Sequence, residues 1–312
     1  MVNLSISALK IARPIHWAKN FSLFAAIFLT GTLFEKGLFI DVFWAFIAFN
    51  LATSATYIFN DILDVKLDRL HPTKKFRPLA SGNLPLSLAI LEGVILSFLA
   101  LMVSISVNYL LFLLIGGYLI MQALYSLGLK NIPIIDILII ATGFIIRVYA
   151  GALVIDAHLS VWFLLCVISV ALFLASGKRR AELNVLEETN EITRKSLVRY
   201  KQELLNSYVT MFGNASWMSW ALYTFFESPK ASLPVWLFLA ELSRTTTVNK
   251  LLMATIPLVI FGIMRYEAVI FEGKSEAPEK VLLTDKPLLI AVTLWVSLIY
   301  WIIYSGASIT NI

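Results

Sequence analysis

Nine apolar stretches, most of them near the ~20 residues that a helical bilayer crossing requires, run through this chain at 18–34, 39–59, 84–106, 109–127, 132–155, 159–177, 204–226, 248–271 and 287–305. In lipid each backbone polar group must be satisfied within the protein, so runs of this length predict spanning α-helices. The expected fold is therefore all-α, a polytopic membrane protein with nine transmembrane helices. Composition agrees: with 59% hydrophobic and 14% charged residues, the chain lacks the polar surface of a soluble domain of 312 residues. The first stretch is short between Lys19 and Glu35 and must draw length from its polar flanks. A further apolar piece at 233–242, beside Pro229 and Pro234, is too short to cross and reads as an interfacial helix.

The basic residues set the expected orientation. Twenty Lys and Arg fall in the N-terminal segment and in the loops after the second, fourth, sixth and eighth stretches, against Lys36, Lys230, Arg244 and Lys250 on the other side. The positive-inside rule then places the N-terminus and those loops in the cytoplasm and the C-terminus outside; the membrane is expected to be an inner (plasma) membrane of bacterial type. A net charge of +5 reflects this topology together with anionic substrates or lipids, and not nucleic acid. The N-terminus lacks the order of a signal peptide and is expected to be retained. Cys166, the one cysteine, excludes an intrachain disulfide and reads as a small core residue. Long cytoplasmic loops recur four helices apart, which suggests a four-helix unit used twice with a ninth helix added. The chain is expected to form a single domain, 1–312, whose motif loops lie near 60–82 and 177–202, with a short helix around 181–188.

The chemistry gathers where the second stretch ends. Asn60, Asp61, Asp64 and Asp68 fall at helical spacing, so that four oxygen donors share one face. Acids at a helix C-terminus oppose the helix dipole and need a cation. Hard oxygens suit Mg²⁺, which completes its octahedron with water and substrate phosphates. Asp61 and Asp64 are the leading catalytic candidates, and the whole quartet the metal ligands. Lys74, Lys75 and Arg77 follow at once and are suited to phosphate oxygens.

The block 60–82 resembles the UbiA superfamily of intramembrane prenyltransferases, whose pattern is Asn-Asp-x-x-Asp-x-x-x-Asp with a basic tail. More closely, the chain is similar to the decaprenyl-phosphate phosphoribosyltransferase branch, through 13–20 (Arg13 to Asn20), Tyr125 to Lys130, Gly143 to Arg147, Gly177 to Leu183, and Arg265 with Tyr266. The resemblance implies a UbiA-type helical bundle with a cytoplasm-facing active-site cavity. Aromatic prenyltransferases of the group carry a second acidic motif after the sixth helix; here Lys178, Arg179, Arg180, Ala181 and Glu182 stand there, with one acid. Cations in place of carboxylates fit a site that brings two phosphorylated substrates together, since like charges ~4 Å apart cost about 4 kcal/mol at an effective dielectric near 20.

The resemblance implies that those substrates are phosphoribosyl pyrophosphate and a polyprenyl phosphate, and that the product feeds an arabinose donor for cell-envelope polysaccharide. It also implies roles for single residues: Lys74, Lys75 and Arg77 on the pyrophosphate, and Lys19, Lys130 and Arg147 on the ribose or lipid phosphate. Tyr125, Lys178, Arg179, Arg180, Glu182 and Arg265 complete the expected substrate-binding set. Assembly into a homo-oligomer is possible in the family. Transfer of a prenyl group to an aromatic or glycerophosphate acceptor, and a transporter using Arg147 and Asp136, stand as alternatives.

Arg147 lies in the middle of the fifth stretch, where a charge costs roughly 2.5–3.5 kcal/mol and must face the bundle interior. Asp136, Gly143 and Ala150 share its helical stripe. Its charge either reaches a substrate cavity or pairs with a residue such as Glu92. His16, His71 and His158 read as polar surface or interfacial residues, and the tryptophans as belt or packing residues.

Overall fold

The computed structural model describes residues 4–71, 74–189, 197–227, 248–272, 281 and 284–305. Among these there are helices and no strands. In order they are α1 (Leu4–Ile11), a 3-10 segment (Pro14–Phe24) continued by α2 (Ala25–Leu29), α3 (Lys36–Asp68), α4 (Leu86–Val107), α5 (Tyr109–Leu127) and α6 (Ile135–Val154). There follow α7 (Val161–Thr189), α8 (Gln202–Phe226), α9 (Ile256–Phe271) and α10 (Lys286–Tyr304). Short 3-10 turns occupy Lys74–Phe76, Leu129–Asn131 and Leu197–Arg199, and Val248–Thr255 leads into α9.

Among the described residues, seven helices are long and apolar enough to cross a bilayer, namely α3 to α7, Leu251–Phe271 and α10. They mark the chain as an integral membrane protein. The expected count of nine differs at two places, each with a physical reason. The α8 helix has the length, 25 residues, but Gln202, Glu203, Asn206 and Asn214 lower its apolarity. The first stretch is no continuous α-helix: its 3-10 segment starts at Pro14, and only α2 is α-helical. At ~2.0 Å per 3-10 residue and ~1.5 Å per α residue, the sixteen residues 14–29 still extend about 30 Å. The short helix expected around 181–188 is the end of α7, which runs unbroken for 29 residues because no proline interrupts it. The expected interfacial helix at 233–242 lies outside the described residues.

The chain divides into two compact units. The first comprises Met1–Ala25, Glu35–Ala157 and Ile192–Arg199, with α3 as its spine, packed against α4, α5, α6 and the 3-10 segment. Small residues are prominent on the buried faces: α3 buries Ala45, Ala48, Ala52 and Ala55, and α4 buries Ala89, Ala100 and Ser104. Membrane helices pack this way because lipid gives no hydrophobic drive, leaving dispersion between close backbones. The other faces of α4 expose Ile90, Val94, Ile95, Phe98 and Met102, a surface suited to acyl chains. At Gly151 a Cβ would stand 1.9 Å from the Leu23 carbonyl oxygen, so glycine alone lets the 3-10 segment lie on α6. Near the acidic end of α3, Ile11, Ile58, Leu79, Leu84 and Ala89 form a local core.

The second unit comprises Ala26–Phe34, His158–Glu191 and Tyr200–Ile312. Here α7 packs along α8, and Phe173, Val209, Tyr266, Ile270 and Leu288 join α7, α8, α9 and α10 in one core. Asp285 caps α10 by accepting from the Leu288 N–H at 3.0 Å, and the Tyr304 hydroxyl donates to the Phe28 carbonyl at 2.7 Å.

Candidate active site

The last turns of α3 carry Asn60, Asp61, Asp64 and Asp68, and the helix does not end until the final acid is placed. The four side chains share a face, yet their oxygens do not converge on one point. Among the described residues, no group of three or more His, Cys, Asp and Glu gathers as a metal site. Instead the acids separate into two ion-paired sets, each drawn to its own cation.

Asp61 and Asp68 form the buried set. Arg77, just past the 3-10 turn after α3, donates through Nη1 to Asp68 Oδ2 at 2.6 Å and to Asp61 Oδ1 at 3.2 Å. Arg13 donates to the same Asp61 oxygen at 2.5 Å. Its backbone is left-handed at φ 50°, and its guanidinium lies over the Tyr57 ring at 4.9 Å. The carboxylates are 3% and 7% exposed, so two guanidinium groups neutralise two acids away from water.

Asn60 and Asp64 form the more open set. Lys130, from the turn between α5 and α6, places Nζ 2.7 and 2.8 Å from the two Asp64 oxygens and 3.3 Å from Asn60 Oδ1. The Asn60 amide also donates to Asp64 Oδ2 at 3.0 Å. Three hard oxygens thus surround one cation. That donor chemistry fits Mg²⁺, with Asp61 and Asp68 on the neighbouring turns of the same face.

Deeper in the unit, Arg147 is 6% exposed. It donates through Nε to Asn20 Oδ1 at 2.5 Å, through Nη2 to the Tyr118 hydroxyl at 2.8 Å and Thr53 Oγ1 at 3.3 Å, and through Nη1 to the Gly143 carbonyl. These acceptors are neutral, and Glu92 is not among them. The faces of Tyr118 and Phe49, with centroids 5.0 and 6.0 Å away, add quadrupole stabilisation. Asn20 extends the network to Asn50 Oδ1 at 2.6 Å, tying the 3-10 segment to α3. Asp136, Gly143 and Ala150, the rest of the stripe, are buried with it.

The other expected substrate residues are placed as follows. Lys19 stands half-buried in the 3-10 segment, Lys74 half-buried and Lys75 exposed beside Arg77, and Tyr125 half-buried near the end of α5. In the second unit, Arg179 is fully buried and paired with Glu182. Arg180 donates to Asn206 at 2.5 Å and to Asn184, under the Phe271 ring. Lys178 is half-buried on the same helix. The Arg265 fork takes both oxygens of Asp285, at 3.0 and 2.7 Å, so it fastens α9 to the cap of α10. Arg13, Asn20, Asn50, Thr53 and Tyr118 were absent from the expected site. Arg13 and Asn20 bound the 13–20 stretch, and Asn50, Thr53 and Tyr118 interrupt apolar stretches, which is the signal each carries in the sequence.

Residues 21–258 match the UbiA prenyltransferase family. A decaprenyl-phosphate phosphoribosyltransferase of Corynebacterium glutamicum is 36% identical over 310 residues, 97% of this chain and 88% of that protein. One of Mycobacterium tuberculosis is 32% identical over 299 residues, 95% and 93% of the two chains. Among solved structures, a UbiA homolog from Archaeoglobus fulgidus bound to DMAPP and Mg²⁺ superposes with a TM-score of 0.67 at 17% identity, over 95% of this chain and 99% of that one. The likeness extends to fold.

Proposed function

The chain belongs to the UbiA prenyltransferase family, and from that premise we propose that it transfers a 5-phosphoribosyl group from phosphoribosyl pyrophosphate to a polyprenyl phosphate, releasing pyrophosphate. The observation that carries this reading is the end of α3, where carboxylates and an amide stand interleaved with Arg13, Arg77 and Lys130. Such a mixed end can bind a metal and bare phosphate oxygens side by side. Relatives that bear the name of this reaction over nearly the whole chain support the choice of substrates.

Asn60, Asp61, Asp64 and Asp68 would hold Mg²⁺, which supplies charge neutralisation to the departing pyrophosphate. Lys74, Lys75 and Arg77 bind the pyrophosphate oxygens from the loop after α3. Lys19 and Lys130 bind the ribose phosphate or the lipid phosphate, with Arg147 beneath them, and Tyr125 lines the substrate. As the bond from C1 to the pyrophosphate oxygen breaks, an oxygen of the lipid phosphate forms the new bond at C1. A phosphate monoester is already ionised at neutral pH, so the site needs no general base. Rate enhancement comes from positioning and from cations fixed in a water-poor setting. In the second unit Lys178, Arg179, Arg180 and Glu182 are proposed to bind phosphorylated substrate, and Arg265 acts chiefly through Asp285. The acidic end of α3 and the N-terminus face the cytoplasm, where phosphoribosyl pyrophosphate is available, and the product serves as precursor of a lipid-linked arabinose donor.

The test uses purified protein in detergent with Mg²⁺, a polyprenyl phosphate and labelled phosphoribosyl pyrophosphate. Label should pass into the organic phase with matching pyrophosphate release, and EDTA should stop both. Asp64→Asn should abolish transfer in a protein that remains folded. Consumption of a prenyl diphosphate with an aromatic acceptor, and no phosphoribosyl transfer, would replace this reading with prenyl transfer.

A further inference from the structure

The acids of α3 are held by two kinds of cation. Asp61 and Asp68 lie buried under guanidinium groups, whereas Asp64, 23% exposed, is held by an ammonium. The difference has a chemical consequence. Arginine presents a rigid planar fork; lysine is a point charge on a flexible four-carbon stem that can leave one anion for another without backbone movement. Lys130 is anchored on the Leu129–Asn131 turn, outside the helix that carries the acids. Its Nζ occupies the position that Asn60 Oδ1 and both Asp64 oxygens define, so an ammonium and a divalent ion cannot share it.

We infer that Lys130 is an exchangeable counter-cation, which yields the Asn60–Asp64 position to a divalent metal when a pyrophosphate-bearing donor arrives to accept the displaced ammonium. This rests on the phosphoribosyl-transfer reading, adds an order of binding to it and assigns Lys130 to the pyrophosphate of the donor. Metal alone meets a position already neutralised; metal and donor enter together, because the donor's phosphates receive Lys130 as its contact with Asp64 breaks.

Equilibrium dialysis of Mn²⁺ against the full chain in detergent, without lipid substrate, tests this with no reliance on turnover. Lys130→Gln should bind Mn²⁺ at least tenfold more tightly than wild type, and Lys130→Arg no more tightly than wild type. Inorganic pyrophosphate, corrected for its own complex with Mn²⁺, should tighten binding at least tenfold in wild type and less than threefold in Lys130→Gln. The wild-type measurement needs no variant to fold: absence of this synergy overturns the exchange. Equal or weaker Mn²⁺ binding by Lys130→Gln overturns it as well, while weakened binding by Asp64→Asn in the same series leaves the metal motif intact. If Asp64→Asn binds Mn²⁺ like wild type, the metal does not use this motif and the phosphoribosyl-transfer mechanism falls with the exchange.

Discussion

At the scale of single residues, the acids of α3 are not equivalent. Asp61 accepts from two guanidinium groups and is 3% exposed, while Asp64 accepts from one ammonium in a more open position. Asp61→Asn should therefore lower stability as well as activity, by about 1–3 kcal/mol. That is less than the roughly 3–5 kcal/mol for breaking a fully buried pair, because Arg13 and Arg77 keep 18% and 26% exposure and can turn toward water. Thermal unfolding of Asp61→Asn and Asp64→Asn side by side checks it: the first should melt clearly lower, the second close to wild type. Residue type and helical spacing made these acids legible in the sequence. Their pairings were not, since Arg13 meets Asp61 across 48 positions and Lys130 meets Asp64 across 66. Arg147 illustrates both sides of this. Its burial followed from a charge in the middle of an apolar stretch, but a carboxylate partner was a fair alternative until Asn20, Thr53, Tyr118 and the Gly143 carbonyl were seen to take its donors.

At the scale of elements, the 3-10 segment does the positioning. It carries Lys19 and Asn20 and follows directly on Arg13, so its seat decides whether three site residues reach α3 and α6. That seat depends on Gly151, where an added Cβ would meet the backbone of Leu23 rather than a side chain that could turn away. Gly151→Ala should cost about 1–3 kcal/mol through overpacking and should lower transfer activity although residue 151 touches no substrate. A melting curve with an activity assay tests both effects. At Gly177 the nearest atom is the flexible end of Ile270, Cδ1 at 2.6 Å, so substitution there should be milder. Helix positions were readable from apolar runs and lengths, but the 3-10 character of 14–24 was not, because an apolar run does not distinguish a 3-10 from an α-helical course. The polar composition after 177 reads as a loop with a separate short helix at 181–188, whereas α7 runs on to Thr189, because backbone hydrogen bonding is indifferent to polarity outside the lipid.

At the scale of the whole molecule, membrane integration rests on seven apolar helices among the described residues, and the proposed orientation on the skewed distribution of Lys and Arg. In a Cys166→Ser background, a cysteine at the exposed Lys75 should resist a membrane-impermeant maleimide in intact cells and react once the membrane is opened. A cysteine at the exposed His158 should react from outside in intact cells; the reverse pattern would invert the topology. By itself the sequence determined that the chain must be helical and membrane-spanning, since lipid forbids unpaired backbone and helical periodicity is local. It also determined that one helix end carries acids needing cations, since charge and spacing can be counted along a single element. Only the tertiary structure decided which cation each acid receives, that Arg147 is held by neutral oxygens, and that glycine at 151 seats the 3-10 segment. Those outcomes depend on distances between residues far apart in the chain, which packing sets and no local rule encodes.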